Sequence, residues 1–276
     1  MADESPPLLG CDFSSSPSKA KPIVVAWGRC TAGRVQVHTL ETLPNLDAFS
    51  AMLQREATWL GGFDLPFGLP RELVHTLGWP LAWEPCMRHY ASLTRVEIRD
   101  RFAAFCNARP VGSKFAHRAT DIPAHSSPSM KWVNPPVAYM LHAGVPRLLD
   151  AGVHFPLLQE PSHDAGKVAL EAYPGLLARE VLGARSYKSD ERRKQTPERL
   201  IARKDLLHAL EMGQTRLGLR LKLSHAQRDA LVDDARGDSL DAVLCLVQAA
   251  WAQAQGAPLY GLPEQADALE GWIVSA

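Results

Sequence analysis

The chain has 276 residues, room for one large domain or two modest ones, and a chain of that size buries about 75% of its unfolded surface unaided. With 46% hydrophobic and 22% charged residues, it is neither mainly disordered, nor a collagen-like repeat, nor a disulfide mini-scaffold. Thirty Lys+Arg balance thirty Asp+Glu, so a nucleic-acid partner would have to be met by a local patch.

Leu8 to Phe13 is a short apolar run holding one carboxylate, and Ile23 to Gly28 is a β-branched second strand. Ala32-Gly33 turns the chain into an alternating third strand, Val35 to Leu40, which predicts three consecutive antiparallel strands. The period then changes: Leu46, Phe49, Met52 and Leu53 mark a helix over 46–57 with Asn45 as N-cap. Trp59 to Asp64 follows as a fourth strand, expected to lie parallel to the first after its helical crossover.

Residues 71–165 differ in texture and read as a helical insertion. Helices are expected over 71–77, 87–107 and 137–151, with a Ser/Pro-rich stretch from Ile122 to Pro136. Lys167 to Tyr173 predicts a fifth strand, stopped by Pro174-Gly175, and beyond it helices are expected over 176–182, 196–212, 224–235 and 239–255. The opening residues lack the basic and apolar regions of a signal peptide. No run reaches the roughly 18 apolar residues of a membrane span, and the five cysteines form no CxxC pair, so a cytoplasmic protein without a zinc module is expected.

Asp12 and Asp64 close the first and fourth strands, and adjacent parallel strands would bring both to one carboxyl-end rim. Glu171 lies among apolar neighbours on the fifth strand; Asp238 and Asp241, three apart, open the last helix. Carboxylates drawn from distant segments suit Mg²⁺ or Mn²⁺, which as a pair activate water and steady a leaving phosphate oxygen. Plainer readings stand beside this one. Asp12 is also a turn residue, Asp64 a strand-ending cap, Glu171 a partner for an arginine, and Asp238 an N-cap.

The motifs Gly10-Cys-Asp12-Phe-Ser-Ser-Ser16, Gly62-Phe-Asp64-Leu-Pro-Phe-Gly-Leu-Pro70, Glu171-Ala-Tyr-Pro174 and Asp238-Ser-Leu-Asp241-Ala-Val resemble those of the DUF429 family, described as predicted nucleases of the ribonuclease H-like superfamily. The final Asp-x-x-Asp also resembles the last acidic motif of RuvC-type junction resolvases. The resemblance implies an α/β fold with a ribonuclease H-like mixed sheet (βββαβ…β), helices on both faces and the large helical insertion. It also implies two divalent ions hydrolysing phosphodiesters, with Asp12 bridging both, Asp64 on one and Asp241, with Asp238, on the other. Glu171 is carried over as a catalytic motif position. The 71–165 segment departs from a minimal ribonuclease H domain and would restrict the usual groove.

Basic residues concentrate in 88–118 and 179–204, while 229–276 is acidic. Basic walls around a metal floor would meet a nucleic acid or nucleotide; solvated helix faces with internal ion pairs are the competing account. Lys188 is the leading phosphate-contacting lysine, Ser14 lies on a phosphate-facing loop, and Arg118 with Asp121 lies on a loop able to close over substrate or to form a capping turn. Trp79, Trp83 and Trp132 are either base-stacking or core residues. Two further functions compete: an actin-like ATP-dependent phosphotransferase using Ser14-Ser15-Ser16 as a phosphate hairpin, and a noncatalytic binding module. No second glycine-rich phosphate loop or Walker A motif supports the first.

Overall fold

A computed structural model describes residues 6–276; Met1–Ser5, where most of the signal-peptide reading falls, lie outside the described residues. The strands are β1 (Leu8–Asp12), β2 (Ile23–Thr31), β3 (Arg34–Leu43), β4 (Trp59–Asp64), β5 (Lys167–Glu171) and β6 (Arg220–Lys222). They form one mixed sheet in the order β5-β4-β1-β2-β3-β6. β1, β2 and β3 run antiparallel in turn, whereas β4 is parallel to β1 and β5 to β4. The expected placement of the fourth strand beside the first therefore holds.

Asn45 caps α1 (Leu46–Arg55), its side-chain oxygen accepting from the Ala48 amide at 2.8 Å. Residues 71–165 contain α2 (Arg71–Thr76), α3 (Trp83–Ser92), α4 (Arg95–Asn107), α5 (Asp121–Ala124) and α6 (Val137–Asp150). The single helix expected over 87–107 is two. Leu93 and Thr94 are extended, and Thr94 opens α4 in a reciprocal capping box with Glu97, which satisfies the amides that a new helix leaves free. After β5 come α7 (Pro174–Leu182), α8 (Pro197–Met212), α9 (His225–Asp233) and α10 (Asp238–Gln255). α7 begins two residues earlier than expected because Pro174 suits the first helical position. β6 escaped the sequence reading; only Leu221 of its three residues is buried, too short a run to show a period.

The sheet separates two apolar clusters. One gathers Leu9, Cys11, Phe63 and Ala169 with α1 and the insertion helices. The other gathers Leu8, Leu60, Val168 and Leu170 with α7–α10. Alternate strand residues thus serve opposite faces, as the pleat dictates. No helix among the described residues is long and apolar enough to cross a membrane.

Candidate functional site

Strand parity decides where each carboxylate points. Asp12 is in phase with Leu8 and Gly10, and Asp64 with Leu60 and Gly62, so both lie on the α10 face. They are also register partners across β1 and β4. Two carboxylates therefore leave the carboxyl ends of adjacent parallel strands side by side.

The third acid reaches them because α10 lies almost on the sheet backbone. A Cβ on Gly10 would stand 2.1 Å from the Ala242 carbonyl oxygen and the Leu246 nitrogen, and one on Gly62 2.5 Å from the Cys245 carbonyl oxygen. Glycine at both positions admits the helix, whose first turn delivers Asp241, fully buried. The helix is not capped by Asp238, as the sequence suggested. Gly237, at φ +77°, is the N-cap residue, and Asp234 reaches back to accept from the Ser239 amide at 2.9 Å.

Both Asp241 oxygens are engaged, one by the Tyr187 hydroxyl and the other by the Lys188 ammonium. The Tyr187–Lys188 strap is itself held from behind. Arg203, 4% exposed on α8, donates to the Tyr187 carbonyl at 2.7 Å, and Arg199 donates to that of Lys188. Sequence reasoning singled out Lys188 but counted Arg199 and Arg203 among the basic residues of a phosphate-binding wall; they hold backbone instead.

Crowding like charges out of water is unfavourable, and the carboxyl groups show it. Burial, then Asp241, push Asp64 from 3.8 up to about 7, against the opposing pull of Lys188. Asp12 is raised well above its ordinary value, first by burial and then by Asp241. Burial likewise raises Asp241, with Lys188 and Tyr187 holding it back. For Lys188, burial favours the neutral amine, but Asp241 and its neighbours prevail and keep it charged.

Glu171 does not join this group. It is in phase with Ala169 and faces the insertion, opposite to Val168 and Leu170. There Arg118 grips it with two bonds of 2.6 and 2.7 Å, and the Phe67 amide donates to it at 2.9 Å. Arg118 also pairs with Asp121 at 2.9 Å and reaches the Glu270 carbonyl at 3.1 Å. At 2% exposure this arginine is a fixed clasp, which overturns its reading as part of a loop that closes over substrate. Its N–H groups are spent on protein partners, so the Glu171–Arg118 ion pair is the plainer reading realised.

A cleft of about 670 Å³ lies over the rim, lined by Asp12, Asp64, Asp238, Lys188 and Ser14 among others. Arg118 and Glu171 form part of its wall, and Asp241 sits behind Lys188, outside the lining. As the side chains stand, no three His, Cys, Asp or Glu residues among those described are grouped to hold a metal ion. Trp79 and Trp83 are buried in the insertion's core and Trp132 packs against it, so none faces the cleft.

Fold and site together define a mixed-sheet α/β protein with a carboxylate-floored cleft at the ends of its central parallel strands. The chain belongs to the DUF429 family, described as proteins of unknown function, whose model matches residues 10–266. No curated protein and no solved structure matches the chain.

Proposed function

We propose that this protein is a cytoplasmic, divalent-metal-dependent phosphodiester hydrolase on a ribonuclease H-like sheet, acting on a nucleic acid or nucleotide. The observation that carries the reading is the convergence of Asp12, Asp64 and Asp241 from β1, β4 and α10. The strand order, with an antiparallel β1-β2-β3 meander flanked by parallel β4 and β5, supports the ribonuclease H-like arrangement.

The donor chemistry fits Mg²⁺ or Mn²⁺: every candidate ligand is a carboxylate oxygen, the preference of hard cations. Burial first, and then repulsion from Asp241, raises Asp12 and Asp64, and a cation would offset both. Asp12 and Asp64 would hold the ions with Asp241, and Asp238 stands at the rim. Bound there, two ions would supply an activated water and stabilise the leaving phosphate oxygen. Lys188 now occupies Asp241; on loading it turns its ammonium toward a phosphate oxygen in the cleft it already lines. Ser14, two residues beyond Asp12 on the loop that follows β1, offers a hydroxyl to that phosphate.

Calorimetric titration with Mn²⁺ tests the reading on wild type, Asp12→Asn and Asp241→Asn. Binding to wild type that disappears in both variants supports a shared site. Wild-type affinity retained by Asp12→Asn removes it.

A further inference from the structure

The cleft has two unlike walls above its carboxylate floor. One is polar, with Ser14, Ser16, Lys21, Lys188 and Arg236. The other is an apolar shelf from the start of α6 and the loop before it: Pro135, Pro136, Val137, Tyr139 and Met140. Arg95 of α4 spans the two. It donates to the Ser15 carbonyl at 2.7 Å and the Ser16 hydroxyl at 3.0 Å, with its guanidinium 5.0 Å from the Tyr139 ring centre. The insertion thereby ties itself to the β1–β2 loop across one side of the opening. At about 670 Å³ the cleft falls in the size class of small-ligand sites, roughly 300–1,000 Å³.

The basic stretches do not offer a continuous track for a polyanion. Arg185 pairs with Asp205 at 2.6 Å and Arg99 with Asp100 at 2.9 Å. Glu191 holds both Arg193 and Lys194, and Arg109 is held by Glu72. A run of duplex phosphates would have to break these pairs one after another, whereas proteins that bind duplexes gain their affinity from many simultaneous phosphate contacts.

We infer that the cleft takes a single nucleotide-sized phosphate ester, its phosphate toward Lys188 and Ser14 and its planar base on the Pro136–Tyr139 shelf, rather than a duplex. The inference rests on the hydrolase reading for the fate of the ester, but not for its binding. Stacking on Tyr139 is the recognising contact, since any base presents a π-face to an aromatic ring.

The test is calorimetry on the full chain with Mn²⁺ present, using 5′-AMP and a 20-base-pair DNA duplex as probes. Product analysis of both probes, and of a short single-stranded oligonucleotide, runs alongside. The expected result is AMP binding that weakens about tenfold in Tyr139→Ala, the scale of one lost base stack, and recovers in Tyr139→Phe. The half-buried Tyr139 side chain makes these variants suited to folding, and an unchanged melting temperature verifies it. A duplex that binds more tightly than AMP, or AMP binding that is absent or indifferent to Tyr139→Ala, overturns the inference. AMP binding with the Tyr139 dependence but no turnover of any probe sustains it while removing the hydrolase reading. Duplex cleavage without AMP binding does the reverse.

Discussion

Asp12 and Asp64 face each other across a parallel strand pair, joined by register and divided by charge. The strand pairing fixes their backbone register, so both side chains leave the same end of the sheet on one face. Burial and then the nearby Asp241, delivered by α10, disfavour the charge at this rim and raise Asp64 to about 7.

That shift sets a pH dependence. In the unfolded chain Asp64 ionises near its ordinary 3.8, whereas in the fold it keeps its proton to about 7. Its contribution is therefore intact below pH 4 and is lost as pH rises through the folded value. Stability should fall by about 1.4 kcal/mol per pH unit across that window from this group. Urea unfolding of wild type and Asp64→Asn between pH 4.5 and 8 checks it. The variant should show the shallower decline, and parallel curves would remove the assignment.

Lys188 is the cation that balances Asp241. Lys188→Met leaves that fully buried carboxyl with Tyr187 alone, so the metal-free protein should lose stability, by about 3 kcal/mol if Asp241 stays ionised and less if it takes a proton. If the site takes a divalent ion, Mn²⁺ should raise the melting temperature of the variant more than that of wild type. Equal shifts in a thermal melt would show that Lys188 and the ion do not compete.

Arg118 is the larger structural commitment. Removing it strands Glu171 and Asp121, both buried, and should cost about 3–5 kcal/mol. A double-mutant cycle of Arg118→Met with Glu171→Met should be strongly non-additive, the pair together costing much less than the sum. Additive losses in urea unfolding would mean that the ion pair is not the clasp.

Gly10→Ala should be among the most damaging methyl additions in the chain. The new Cβ would meet backbone atoms of α10 at 2.1 Å, which a rigid helix cannot yield, so a loss of roughly 3 kcal/mol or more is expected. Gly33 provides the comparison: at φ +72° with open space around it, Gly33→Ala should cost only about 1–2 kcal/mol. Similar unfolding midpoints for the two variants would argue against the close helix seat.

Much of this arrangement is legible in the sequence. The β-branched run at Ile23, the Ala32-Gly33 turn and the period change at Leu46 each carry a local signal, and the elements lie where those signals place them. Asp12 and Asp64 followed from one topological inference, that a strand after a crossover returns parallel. Glu171 was harder. Its burial was read from its neighbours, but the face it serves depends on which strand parity meets the insertion, a tertiary fact. The same holds for Arg203 and Arg199, which hold the carbonyls of Tyr187 and Lys188, and for Asp238, displaced as a cap by the turn at Gly237. β6 left no signal because one buried leucine has no rhythm.

The two apolar clusters divide the labour at the cleft. The carboxylates stand on the β1, β4 and α10 side, while the Tyr139 shelf belongs to helices rooted in the other cluster. The carboxylate floor and the apolar shelf thus rest on separate foundations. Substitutions on the shelf at Pro136–Tyr139 should therefore reshape the opening while the register that sets Asp12 beside Asp64 stays unchanged.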